Sequence, residues 1–240
     1  MKIITVDNYE QMSLLCAEIL ADAIRRNPNA TLGLATGSSV IGAYAQLCKM
    51  YKDGQISFKR VKTFNLDEYV GLDGTHAQSY ADFMRVTLFN GIDIDKSNTH
   101  IPCGVAPDLV AECKRYDSLL TSLPRDIQLL GLGSNGHIAF NEPGTPFDTR
   151  THVVQLKDST IKDNSCLFKR IEDVPISAIT MGIADIMSAK QVLLIASGEN
   201  KAQAVRAMVQ GEVSENCPAS ILQRHPNAIV IVDKQAASLL

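Results

Sequence analysis

The stretch Ile-Gln-Leu-Leu-Gly-Leu-Gly-Ser-Asn-Gly-His-Ile-Ala-Phe-Asn-Glu-Pro, residues 127–143, decides how the rest of the chain is read. Its first six residues form a short apolar run of the kind that makes a buried strand. Gly131 and Gly133 break the run, and a polar loop follows with Asn135, His137, Asn141 and Glu142. In a parallel α/β sheet, ligands sit beyond the carboxyl ends of the strands. A strand that delivers an imidazole and a carboxylate onto one loop suits that class, and glycine lets the backbone turn sharply and approach a ligand. Taken alone, the pattern fits a glycine-rich connector with capping side chains better than it fits a site. Two other strand ends carry matching chemistry, and they tip the balance.

Outward from that stretch, short apolar runs alternate with helical periodicity. Strands are predicted over residues 3–6, 31–35, 61–64, 127–132, 191–196 and 228–232, with shorter extended pieces at 99–101 and 151–156. Between them, apolar residues at three-to-four spacing predict helices over 9–26, 40–52, 79–88, 108–120, 179–188 and 201–209, with a short one near 220–224. Asp108 is the expected cap of its helix. Residues 157–173 are polar and poorly periodic, a candidate lid within a single catalytic domain spanning 1–240. Strands alternating with helices imply a single doubly wound, mostly parallel sheet with helices on both faces, a Rossmann-like α/β fold.

Composition narrows the function. Of 240 residues, 45% are apolar and 20% charged, as expected for a globular chain with a sizeable core. A net charge of −3 argues against a nucleic-acid partner, so an anionic ligand would need a local site. The N-terminus lacks the layout of an export signal, and no apolar run reaches about 18 residues, so the expectation is a cytoplasmic protein without a membrane partner. Six scattered cysteines, with no Cys-x-x-Cys pair and no grouping at metal-ligand spacing, suggest reduced thiols and no metal site.

Three stretches could carry chemistry. Thr36-Gly37-Ser38-Ser39 joins a strand to a helix, where unpaired N–H groups and the helix dipole make a cradle for one phosphate. It lacks the ending of a P-loop and the three glycines of a dinucleotide fold. A helix cap by Ser38 or Ser39 explains the same residues equally well. Lys201, a cation in a first helical turn, opposes the dipole unless an anion binds nearby. Asp67 and Glu68 follow a predicted strand; a carboxylate held there in a dry cleft can move a proton near neutral pH, although such pairs are more often caps. His137 and Glu142 share one loop, where the carboxylate can orient the imidazole. His76, His100, His152 and His225 show no such setting and read as structural or surface residues.

Together, Phe64-Asn-Leu-Asp-Glu-Tyr-Val-Gly-Leu72 and Gly133-Ser-Asn-Gly-His-Ile-Ala-Phe-Asn-Glu-Pro143 closely resemble signatures of the glucosamine-6-phosphate deaminase family. Thr36-Gly37-Ser38-Ser39 and Ser197-Gly-Glu-Asn-Lys201 match the same family in order and spacing, and the similarity spans nearly the whole chain. The resemblance implies conversion of glucosamine 6-phosphate and water to fructose 6-phosphate and ammonia, without cofactor. It implies that His137 moves protons during ring opening, oriented by Glu142 and Asn135, and that Asp67 carries a proton from C2 to C1. Thr36, Gly37, Ser38, Ser39 and Lys201 would hold the phosphate.

The chain departs from the family pattern in three places. Asn135 stands where many members have Asp, and Cys166 stands where an arginine commonly reaches the phosphate, with Lys169 or Arg170 as the expected substitute. His152 and Val154 occupy positions where longer hexameric relatives use basic residues for an allosteric activator. The expectation is a monomer or small homo-oligomer that N-acetylglucosamine 6-phosphate does not activate. The nearest alternatives are a 6-phosphogluconolactonase, which needs no C2 base, and a sugar-phosphate-sensing regulator domain. The latter would require a DNA-binding segment that these 240 residues do not show.

Overall fold

The computed structural model describes residues 1–157, 160–161, 168 and 170–240. Seven parallel strands form the central sheet: β1 (Lys2–Val6), β2 (Thr31–Leu34), β3 (Lys62–Asn65), β5 (Thr99–His100), β6 (Ile127–Leu130), β9 (Val192–Ala196) and β10 (Ala228–Asp233). Their order is β1-β10-β9-β6-β2-β3-β5. Every residue of β2, β6 and β9 is buried, as in a parallel sheet covered on both faces. Their runs Thr-Leu-Gly-Leu, Ile-Gln-Leu-Leu and Val-Leu-Leu-Ile-Ala are near-continuously apolar for that reason.

The helices follow the predicted periodicity. Helix α1 (Tyr9–Arg26) starts where the Asn8 side chain accepts from the Gln11 N–H at 2.9 Å. Helix α2 (Ser38–Lys52) follows β2, and α3 (Tyr80–Thr87) begins after Ser79, whose hydroxyl accepts from Asp82 N. The Asp108 carboxylate takes the Val110 and Ala111 N–H groups at the start of α4 (Leu109–Ser122), as expected. Two further short helices are α5 (Ile183–Met187) and α6 (Ala202–Gln210).

Two predicted features change. The helix expected over 179–188 begins only at Ile183, because Ser177–Thr180 is strand β8. Its alternation of Ala, Ile and Thr suits a pleated surface as well as a helix turn, and pairing across the sheet decides it. Residues 67–69, expected just past the end of a strand, form a strand of their own, β4 (Asp67–Tyr69). Antiparallel to β8 on either side lie β4 and β7 (His152–Gln155), so a three-stranded sheet stands beside the parallel one. The expected lid, 157–173, lies partly outside the described residues.

The strand order sets where a ligand can enter. From β2 the chain moves to β3 and β5, then returns to place β6 on the other side of β2. Loops leaving β2 and β6 therefore diverge, opening a crevice at their carboxyl ends. Because β9 lies inside the sheet between β10 and β6, with Leu194 fully buried, Leu194→Ala should cost about 2–5 kcal/mol of stability, seen as a lower urea midpoint with an unchanged slope.

Candidate active site

At that crevice lies a cavity of about 720 Å³. Thr36, Gly37, Ser38 and Ser39 line it from the β2 end, Asp67 from β4, His137 from the β6 loop, and Lys201 from the turn before α6. Seven of the nine residues singled out by sequence thus meet in one cleft. Asn135 and Glu142, the other two, stand behind His137 and touch it or each other.

The β2 end is built to receive an anion. Gly37 has φ +98°, a conformation that favours glycine, and it turns the chain into α2. Among the described residues no side chain caps this helix, so the hydroxyls of Ser38 and Ser39 are not spent on its first turn. Capping, the competing explanation for these serines, is therefore not what they do. Lys201 closes a short 3-10 turn, Glu199–Lys201, just before α6 instead of lying inside the helix as expected. Its loop is pinned by Asp233, which accepts from Ser197 Oγ at 2.5 Å and from the Gly198 N–H at 3.1 Å.

The adjacent carboxyls of β4 receive opposite treatment. Glu68 accepts the Tyr69 and Tyr80 N–H groups on one oxygen and the Ala81 N–H on the other, each at 2.9 Å. It caps the start of α3, the role more usual for such pairs. Asp67 is only 5% exposed, and among the described residues no hydrogen-bond donor answers its carboxyl. Burial, helped by the Glu68 charge, raises it to about 8.

His137 and Glu142 form the opposite arrangement. Glu142 Oε2 lies 3.7 Å from His137 Nδ1, an ion-pair separation longer than a hydrogen bond, and accepts from Asn135 Nδ2 at 2.8 Å. Thr160 Oγ1 donates to Glu142 Oε1. Burial pushes the Glu142 carboxyl up, but the interactions with His137, Thr160 and Asn135 outweigh it and bring it to about 2. Asn135 also accepts the His137 N–H at 3.1 Å. Beneath the ring lies Gly133, where an added Cβ would come within 2.4 Å of the imidazole. That glycine leaves room for the histidine.

A clamp that sequence reasoning missed fixes the two halves against each other. Thr180 pairs with Asp67 in the β4–β8 ladder, and its hydroxyl accepts the Phe140 N–H at 3.1 Å. Buried Asn141 donates to the carbonyls of Ile138 and Met181, while Met181 N–H reaches Leu66 O at 2.7 Å. Tyr80 and Phe140, stacked at 6.1 Å, also line the cavity. Polar residues at the end of a short strand were the only local signal for Thr180.

Arg170 does not line the cavity and instead pairs with Asp173 at 2.7 Å, so it is not placed to replace an arginine at Cys166. Cys166 and Lys169 lie outside the described residues. Of the other histidines, His225 is buried with its Nε2 at 2.9 Å from Ala189 O, and His76 accepts from the Gln78 N–H, both structural roles as expected. Among the described residues, no group of three or more His, Cys, Asp and Glu could hold a metal ion. None of their helices is long and apolar enough to cross a membrane.

Nearly the whole chain is similar to known proteins. A family model described as glucosamine-6-phosphate isomerases/6-phosphogluconolactonase matches residues 7–231. The glucosamine-6-phosphate deaminase of Clostridium perfringens strain 13 is 50% identical over 241 residues, covering 100% of both chains. That of Shouchella clausii is 51% identical over 240 residues, covering 100% of this chain and 97% of the relative. A solved structure described as a monomeric glucosamine-6-phosphate deaminase is 47% identical, covers 100% of both chains and superposes with a TM-score of 0.98. The 6-phosphogluconolactonase of Trypanosoma cruzi shares the fold at 19% identity, with a TM-score of 0.81 over 100% of this chain and 96% of that one.

The Asp67 carboxyl also leaves a mark on stability. Unfolded, it ionises near pH 4; in the fold it does so near 8. The native state therefore holds the extra proton across that window, and stability falls as pH rises through it. Asp67→Asn removes this penalty, so its advantage over wild type in urea should grow by at least about 1 kcal/mol between pH 5 and pH 8. An equal advantage at both pH values would contradict the raised carboxyl.

Proposed function

Since the chain belongs to the glucosamine-6-phosphate isomerase/6-phosphogluconolactonase family, we infer that it is a glucosamine-6-phosphate deaminase. It is a hydrolase of amino-sugar catabolism that couples aldose–ketose isomerisation to loss of ammonia. The observation carrying this reading is a buried carboxyl raised to about 8 in the cavity that also holds His137 and an uncapped helix start.

The substrate phosphate sits against Thr36, Gly37, Ser38 and Ser39, where helix N–H groups point outward, with Lys201 supplying the opposite charge. This anchoring leaves the sugar to reach the two proton carriers. His137 takes the proton from the anomeric hydroxyl and returns one to the ring oxygen as the pyranose opens. Glu142 and Asn135 hold the imidazole for that transfer.

Asp67 acts next. Its C2 target carries an ammonium group, and a cation brought beside a buried carboxyl favours the ionised form. Substrate thus brings a counter-charge beside Asp67. The carboxylate removes the C2 proton to give an enolamine and delivers the proton to C1. The resulting imine at C2 is hydrolysed to fructose 6-phosphate and ammonia. Two bases are needed because ring opening and enolisation occur at different atoms.

A lactone hydrolase on this fold would use a histidine and a phosphate site but no base at C2, so Asp67 separates the two readings. The chain acts as a monomer or small homo-oligomer, a reading supported by its likeness to the relative described as monomeric. With no basic pair at His152 and Val154, N-acetylglucosamine 6-phosphate leaves the rate curve unchanged.

The protein incubated with glucosamine 6-phosphate should release ammonia, and kcat/KM should climb as pH approaches about 8, the ionisation of Asp67. Asp67→Asn should abolish both ammonia release and exchange of the C2 hydrogen with deuterated solvent. Normal exchange in that variant would remove Asp67 from its role. Absence of ammonia from the wild-type enzyme would overturn the reading as a whole.

A further inference from the structure

We propose that Thr160 is a positioning residue for this reaction, its hydroxyl holding Glu142 where Glu142 can orient His137. The inference rests on the deaminase reading. Thr160 is 4% exposed, and its hydroxyl donates to Glu142 Oε1, while Asn135 Nδ2 donates to Oε2 at 2.8 Å. Each carboxylate oxygen thus has its own neutral donor. Asn135 belongs to the catalytic loop itself, whereas Thr160 arrives from 18 residues beyond Glu142.

Independent contacts seat the described residues around it. Lys157 Nζ donates to Pro143 O at 3.0 Å, next to Glu142. The Ile161 N–H donates to Lys157 O at 2.9 Å. The Ile161 side chain packs against the small apolar cluster of Tyr69, Phe140, Leu156 and Ala178. The hydroxyl is therefore held in place from both sides, and Thr160 also borders the cavity.

The consequence follows from the balance at Glu142. Burial alone pushes this carboxyl up, and donors hold it down. Without the Thr160 hydroxyl, Oε1 becomes a buried acceptor with no donor among the described residues. The carboxylate then either turns toward water or becomes easier to protonate, and both weaken its hold on His137. Thr160 touches no reacting atom in this scheme and acts through Glu142.

Thr160→Val keeps the shape and removes the hydroxyl. Steady-state kinetics on glucosamine 6-phosphate should show kcat reduced by about tenfold to a hundredfold, the effect of one lost hydrogen bond to a charged group. KM should stay within about threefold, since the phosphate site is untouched. The acid limb of the kcat profile should move to higher pH, and Thr160→Ser should restore most of the rate. Thr160→Ala serves as a second hydroxyl-free variant should the valine form fold poorly. Wild-type kcat in either hydroxyl-free variant, or a serine variant as impaired as valine, would overturn the proposal. Wild-type enzyme that turns over beside an unimpaired Thr160→Val defeats this inference alone; wild-type enzyme that releases no ammonia defeats the deaminase reading beneath it.

Discussion

Burial raises both of two neighbouring carboxyls on one strand, but backbone N–H groups offset it at Glu68 alone, and the chemistry of the cleft depends on that difference. Glu68 is supplied with three backbone N–H groups at the start of α3. Asp67, one residue earlier, faces the cavity without such donors among the described residues and is pushed to about 8. Alternation along a strand sends successive side chains to opposite faces. The short ladder between β4 and β8 is therefore what sends one carboxyl to cap α3 and the other into the cavity. Had residues 67–69 been a loose loop, nothing would have kept Asp67 dry.

Across the cleft the logic is reversed. Glu142 is as buried as Asp67 but well provided with donors, and it stays ionised down to about 2. A fixed negative charge lies behind the His137 ring, while the unanswered Asp67 carboxyl lining the cavity favours proton uptake. One acid is tuned to hold charge and the other to exchange it. The clamp of Thr180, Met181 and Asn141 keeps these two environments in register, since it bonds both the Asp67 strand and the His137 loop. Preorganisation of this kind spares the reaction the cost of arranging its own dipoles.

Much of this was legible in the chain. Apolar runs and helical spacing located the parallel strands and their helices, because burial on both faces leaves a plain compositional trace. The polar ends at Thr36, Asp67 and His137 were visible as departures from that trace. What stayed hidden depended on partners distant in sequence. Residues 179–180 looked helical because their pairing with β4 and β7 lies in contacts about 25 to 110 residues away. The different fates of Asp67 and Glu68 could not be read from two adjacent acidic letters, since only the fold says which one meets N–H groups. Thr160 gave no signal, and Asn141 showed as a polar loop residue but not as a clamp, for a hydroxyl or amide shows its role only once its acceptor is placed.

The central claim is that burial, and not a specific bond, makes Asp67 an acid of near-neutral strength. Carbon-13 labelling of aspartate, with the Asp67 carboxyl assigned by loss of its signal in an Asp67→Asn control, allows its titration to be followed directly by NMR in the ligand-free protein. A midpoint near 8, with no second group needed to explain the curve beyond the influence of Glu68, is the result expected. A midpoint near 4, the ordinary value for an exposed aspartate, would mean that water or an unseen donor reaches the carboxyl, and the account of the cleft would fail.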